Sequence, residues 1–188
     1  MKEQENSTME KHNRLYQLTT YAIMCALMCI FGPISVPIGP IPISLTILII
    51  CLSIYIIGLQ GTLISYLVYL LLGIVGLPVF SGYQGGLSKL AGPTGGYLFG
   101  FIFLIFISGL FYERTNHDTK WTIVGMILGI AVDYAFGTAW FILQMHCSLP
   151  YAISVCVFPF ILFDIGKVII STILGKAVRK PLSKQGLV

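Results

Sequence analysis

Charge is what this chain has least of. Asp, Glu, Lys and Arg make up 10% of its 188 residues, against about 25% in an ordinary soluble domain. Apolar residues reach 56%, and a chain this short has too little interior to hide so much apolar surface from water. Lipid is the natural solvent for it. A cleaved secretory signal does not explain the hydrophobicity, because apolar segments recur to the C-terminus and residues 1–14 are polar and mixed in charge. Other absences exclude chemistries. There is no GxxxxGK[ST], so no P-loop for ATP is expected. The cysteines Cys25, Cys29, Cys51, Cys147 and Cys156 form no CxxC and have no histidines near enough to complete a metal set. His12, His117 and His146 fall in the tail or near segment ends, and no embedded Ser–His set suggests an enzyme. The net charge of +4 sits at segment ends rather than along a face, which signals topology and not nucleic-acid binding.

Six stretches are long and apolar enough to cross a bilayer: 15–32, 43–59, 61–80, 94–112, 121–145 and 150–176. They predict an all-α membrane protein, a bundle of about six transmembrane helices. The link near Gly58–Gly61 is the weakest boundary, and five helices with a re-entrant segment is the alternative. An even count puts both termini on one side. That side carries Lys2, Lys11, Arg14, Arg114, Lys120, Lys176, Arg179, Lys180 and Lys184, while the other carries only Lys89. The positive-inside rule therefore places both termini in the cytoplasm. The organisation follows: a polar cytoplasmic tail over 1–14, a single membrane domain over 15–176, and a basic cytoplasmic tail over 177–188.

Two connections on the outer side are rich in helix breakers. Gly32 to Pro42 reads GPISVPIGPIP, and its prolines make it stiff and non-helical. Gly76 to Tyr97 reads GLPVFSGYQGGLSKLAGPTGGY, whose glycines permit tight turns with exposed N–H groups able to cradle anions. It is either a flexible external loop or a folded lid; its length and partly apolar character favour the lid.

Inside the spans lie Asp133, Asp164 and Lys167, each costing on the order of 2.5–3.5 kcal/mol at a helix centre. Asp164 and Lys167 are spaced i, i+3 and share one helical face. Their attraction rarely offsets the loss of water from both ions, and neither exhausts the other's hydrogen-bonding capacity. The pair either fixes helix packing, relays protons, or docks a neutral solute with both N–H and C=O groups, since lysine donates and aspartate accepts. With two embedded acids and no embedded histidine, a continuous relay is thin. Beside Asp133, the residues Tyr134, Gly137 and Trp140 form an aromatic face around a glycine notch, either ordinary core or a stacking wall for a flat ligand. Ala22 and Ala26 form a small-xxx-small pattern that admits a close helix, from this chain or another subunit.

These residues, in order, resemble the BioY family, the biotin-specific substrate-capture (S) components of energy-coupling-factor vitamin transporters. The resemblance is carried by Ala22-x-x-x-Ala26, PIPISL from Pro40 to Leu45, GLPVFSG from Gly76 to Gly82, GPTGGY from Gly92 to Tyr97, Tyr134-x-x-Gly137-x-x-Trp140 and Asp164-x-x-Lys167. It spans residues 15–176. It implies an S-component-like bundle in the cell membrane of a prokaryote, with an outward pocket in which Asp164 and Lys167 read the ureido ring of biotin. It also implies contacts from the glycine loop at Gln84, Gly85 and Gly86, from Thr46 where relatives often carry glutamine, and from Tyr97, with Tyr134 and Trp140 as pocket wall. Leu98 stands where some relatives place an arginine for the carboxylate tail, leaving loop N–H groups, Lys89 or solvent to meet it. Implied partners are biotin, membrane lipid, a transmembrane coupling protein on the Ala22/Ala26 face and paired cytoplasmic ATPases; ATP would be used by those ATPases, and this chain would hold no cofactor or metal. The competing reading is an ion-coupled carrier for another small polar solute or a different vitamin; a structural subunit without ligand is a third.

Overall fold

The computed structural model of the chain describes the backbone of residues 2–184 and the side chains of residues 14–181. The side chains of Lys2, Lys11 and Lys184, which enter the topology expectation, and that of His12 lie outside the described residues. Among the described residues, seven helices and a two-stranded hairpin follow in order: α1 (Lys2–Phe31), β1 (Ser35–Ile38), β2 (Ile41–Ser44), α2 (Thr46–Ile74), α3 (Leu87–Ala91), α4 (Gly95–Arg114), α5 (Thr119–Met145), α6 (Leu149–Cys156) and α7 (Phe158–Lys184). Five helical stretches are long and apolar enough to cross a membrane by length and composition.

One of the five is two legs in one. Within α2, Gly58 sits at φ 66, ψ −168, a conformation that glycine alone adopts readily. A straight helix from 46 to 69 would span roughly 35 Å, yet Thr46 and Tyr69 line the same small cavity. The chain therefore turns back at Gly58, and the chain passes through the bundle six times. The boundaries of the second and third passes differ from the expected 43–59 and 61–80, because residues 43–45 belong to or follow a strand and residues 75–80 to a loop.

Contacts at the ends sort the connections. The backbone N–H of Leu59 donates to Glu113 Oε1 at 3.1 Å, Tyr112 Oη donates to the Tyr55 carbonyl at 2.9 Å, and the Arg179 guanidinium donates to the Tyr112 hydroxyl. Ser65 Oγ donates to the Tyr21 carbonyl at 3.0 Å. The Gly58 turn, the α4–α5 link and the late part of α7 thus share one end. The hairpin, the 75–94 loop and α6 occupy the other. The polar segments treated as tails continue helices: α1 begins at Lys2 and α7 runs to Lys184, since neither stretch contains a residue that stops a helix except Pro181.

The proline-rich connection is a β-hairpin, a feature that the all-α expectation did not contain. Val36 pairs with Ile43 and Pro37 with Pro42. Proline is tolerated on edge strands, and both strands of a two-stranded sheet are edges. Ile41 and Ile43 are buried, so the hairpin plugs the bundle mouth with its β2 side. Large apolar residues such as Leu128, Leu162 and Ile169 remain exposed on the helix exteriors, as suits surfaces facing lipid. Between α4 and α5 the helices meet across glycines, with Gly96 against Trp140 and Gly129 against Leu104, the close backbone approach that small residues allow in membranes.

Candidate functional site: a stepped column of cavities

The site is a column of three cavities between the hairpin, the glycine-rich loop and helices α2, α4, α5 and α7. The outermost is a funnel of about 780 Å³ whose walls include Pro37, Gln84, Gly85, Ser88 and Lys89. Below it lies a chamber of about 40 Å³ touched by Thr46, Tyr69, Lys89, Tyr97 and Leu98. The innermost chamber, about 50 Å³, is lined by Asp133, Tyr134, Asp164 and Lys167 together with Tyr97 and Phe101. Pro42 lines all three. The hairpin therefore stands along the whole descent.

At the bottom, Lys167 Nζ donates to Asp164 Oδ1 at 2.7 Å, both residues projecting from one face of α7. Asp164 is 1% exposed and Lys167 6%. The hydroxyl of Tyr134, from α5, donates to Asp164 Oδ2. A carboxylate has about four lone-pair sites and an ammonium three donors, so the cluster keeps unused acceptor and donor capacity toward the chamber. Removing such an ion pair from water is costly unless further hydrogen bonds complete it. Asp133, one residue before Tyr134, is fully buried on the same chamber, and neither of its oxygens has a hydrogen-bond partner among the described residues. Its carboxyl fits the space that Gly100 leaves on α4.

The other residues singled out from the sequence are spread along the column. Thr46 opens α2 and is buried; its hydroxyl accepts from Ser44 Oγ at 3.0 Å and lines the middle chamber. Tyr97 spans the middle and inner chambers, its hydroxyl 3.2 Å from Thr138 Oγ1. Gln84 is exposed in the outer funnel, far up the column from Asp164, while its backbone pairs with Phe80. Gly85 lines that funnel too, and the N–H of Gly86 is taken up by the Gly73 carbonyl at 2.7 Å. Trp140 donates from Nε1 to the Gly92 carbonyl at 3.0 Å, so its polar edge fastens the loop to α5. Ala22 and Ala26 are exposed on the outside of α1, away from the cavities.

The glycine-rich connection is folded. Phe80 is fully buried and its ring packs on Gly73, Gly82 donates its N–H to the Pro33 carbonyl at 3.0 Å, and Tyr69 Oη donates to the Val79 carbonyl at 3.0 Å. Loop and hairpin are thus joined over the column. Lys89, on the short helix α3, is half-buried and reaches both the funnel and the middle chamber. Burial pushes its ammonium below the usual lysine range. From the sequence, Lys89 is the single outer-side cation and one of several choices for the ligand's tail; nothing in its local sequence marks the depth at which α3 places it. Pro42, Ser44 and Phe101 also line the chambers; the first two carried no signal beyond the PIPISL stretch, and Phe101 carried none. Among the described residues no group of three His, Cys, Asp or Glu side chains is placed to hold a metal.

With this geometry in place, the similarity to known proteins is specific. The BioY family profile matches residues 3–184. The biotin transporter BioY of Thermotoga maritima is 36% identical over 165 residues, covering 87% of this chain and 96% of that protein. The biotin transporter BioY2 of Lactococcus lactis subsp. cremoris is 33% identical over 175 residues, covering 92% and 95%. A crystal structure of the S-component for biotin from an ECF-type ABC transporter superposes with a TM-score of 0.84 at 28% identity, covering 90% of this chain and 93% of that one. By sequence across nearly its full length and by fold, the chain belongs to the BioY family.

Proposed function

We propose that the chain captures biotin at the outer face of a prokaryotic cell membrane, as the substrate-binding subunit of an ATP-driven transporter of the ECF type. The observation that carries this reading is the Lys167–Asp164–Tyr134 cluster at the foot of the cavity column. A cyclic urea offers two N–H donors and one carbonyl; Asp164 accepts from the N–H side, and Lys167 meets the carbonyl with protons that Asp164 leaves free. The valeryl chain then lies along Tyr97 and Pro42, and its carboxylate comes up beside Lys89, the half-buried cation at the base of the funnel. Thr46, Gln84, Gly85 and Gly86 line or shape the route. The inner chambers are far smaller than the ~300–1,000 Å³ of typical ligand pockets, so a ligand enters by parting the hairpin from the glycine loop.

Work on the cytoplasmic side belongs to partners in this reading. A transmembrane coupling protein docks on the face of Ala22 and Ala26, paired ATPases hydrolyse ATP, and this chain itself carries no cofactor. Calorimetric titration of the purified chain, without ATP, is the test. Saturable binding of biotin, with riboflavin and thiamine inert, is expected. No heat with biotin, or equal binding of another vitamin, would overturn the assignment. Uptake driven by a pH gradient with no ATPase present would favour an ion-coupled carrier instead.

A further inference from the structure

Two acids and one cation face the inner chamber. Lys167 is 2.7 Å from Asp164, which leaves Asp133 as a second carboxyl with no counter-ion and, among the described residues, no hydrogen-bond partner for either oxygen. The ionisable groups around it are Asp164 and Lys167 from α7, Tyr97 from α4 and Tyr134 from its own helix, all on the same chamber, with Tyr66 on the α2 side donating its hydroxyl to the Leu98 carbonyl at 2.5 Å. None of them neutralises a second negative charge. An unpaired carboxylate in such surroundings takes up a proton rather than bear the desolvation cost.

A neutral carboxylic acid carries one donor and one acceptor side by side. That is the complement of the adjacent C=O and N–H along one edge of a urea or amide. The 50 Å³ chamber is several times the ~10–15 Å³ that a single water requires, and Asp133 is one of the residues that line it. The carboxyl is also placed by design of the backbone: Gly100 stands where a methyl group would collide with Asp133 Oδ1.

We propose that Asp133 is a specificity-determining residue of this pocket, held as a neutral acid and pairing with one C=O/N–H edge of the ligand's cyclic urea while Asp164 accepts the other N–H. The inference rests on the biotin-binding function proposed above and extends it. It makes the pocket selective for ligands whose central group accepts at the carbonyl position, since Asp133 and Lys167 both donate there. Protonated 2-iminobiotin, which places an N–H₂ donor at that position, meets two donors and is excluded.

Infrared difference spectroscopy of the full-length protein with and without biotin tests it. A protonated-carboxyl band is expected that shifts when wild-type protein binds biotin and disappears in Asp133→Asn. In titrations, Asp133→Leu should lose roughly 10–100-fold in affinity, the range for hydrogen bonds left unmade at a buried site, and Asp133→Asn, which keeps a donor and an acceptor, should recover much of that loss. A carboxyl band absent from, or indifferent to, biotin-bound wild-type protein overturns the inference alone, as does a folded Asp133→Leu variant that binds biotin as tightly as wild type. Wild-type protein that binds no biotin at all overturns the function on which it rests. The infrared measurement needs no variant to fold, so an unstable leucine variant leaves the test intact.

Discussion

Lys89 and Asp164 stand at opposite ends of one column: Lys89 borders the outer funnel and the middle chamber, Asp164 the inner chamber, and Pro42 runs past both. The column thus has a cation at its entrance and an acceptor at its foot. That polarity suits an elongated solute with an anionic tail and an N–H-bearing head.

The first prediction concerns the entrance. Lys89→Met should weaken biotin binding by roughly 3–30-fold, less than a fully buried charged hydrogen bond is worth because the funnel is open to water. Biotinamide, which lacks the carboxylate, should show no such penalty. The pH dependence has a definite sign. Burial holds the Lys89 ammonium below the usual lysine range, so its contribution is complete only below that lowered value. That contribution fades as pH rises through the lowered value, earlier than for an exposed lysine. Titrations of wild type and Lys89→Met across the alkaline range check this, and the variant should lack the alkaline loss.

A second prediction separates folding from recognition at the foot of the column. Asp164→Asn or Lys167→Met alone leaves one buried partner uncompensated and should cost on the order of 3–5 kcal/mol of stability. The double variant removes both charges and should recover much of that stability. Biotin binding should be lost in all three. Thermal melts in detergent paired with calorimetry give the two readouts. A double variant that melts like wild type and still binds would remove the pair from the site.

How much of this was legible in the sequence depends on whether a property is local. Membrane residence follows from composition and from where the cations fall, and the Asp164/Lys167 face follows from helical spacing alone. The turn at Gly58 was visible only as a weak link between two apolar runs, since φ at one glycine decides it. The hairpin was hidden by its own prolines: Pro37 and Pro42 argue against a strand in general, and the pairing is allowed only because each strand is an edge. Trp140 illustrates the limit for side chains. Its i+3 spacing from Gly137 makes those two neighbours on α5, but its N–H is directed by the Gly92 carbonyl, which comes from a loop some fifty residues earlier. Asp133 was recognisable as a costly charge, while its lack of a counter-ion emerged only from three-dimensional packing.

The third prediction tests the lid. Phe80 is fully buried with its ring against Gly73, so closely that a methyl group there would overlap it. Gly73→Ala should therefore cost about 1–3 kcal/mol as overpacking, expressed as a loosened 75–94 loop because that segment is the less constrained partner. Faster proteolysis around Tyr83–Gly86 and faster biotin release are expected, with a smaller change in the rate of binding. Limited proteolysis and stopped-flow dissociation measure both. Unchanged dissociation would mean that the loop does not cover the ligand.

The last prediction concerns the outside of α1. Ala22 and Ala26 are exposed one helical turn apart, and their neighbours Ile23 and Ile30 are exposed too, so this stretch presents an apolar face broken by two small steps. Lipid needs no such steps, because acyl chains fit large side chains as well as small ones; a second helix packed at close range does. Inside the chain the exposed alanines are not used for packing, which leaves them free for the coupling subunit proposed to dock there. Leucine at both positions should leave the fold and biotin binding intact while abolishing the close approach. Co-expressed with its coupling protein and ATPases, the Ala22→Leu/Ala26→Leu variant should lose ATP-driven uptake by at least about tenfold, as expected if roughly 1.4 kcal/mol or more of docking energy is removed. Wild-type uptake by a variant that binds biotin normally would place the coupling surface elsewhere on the bundle.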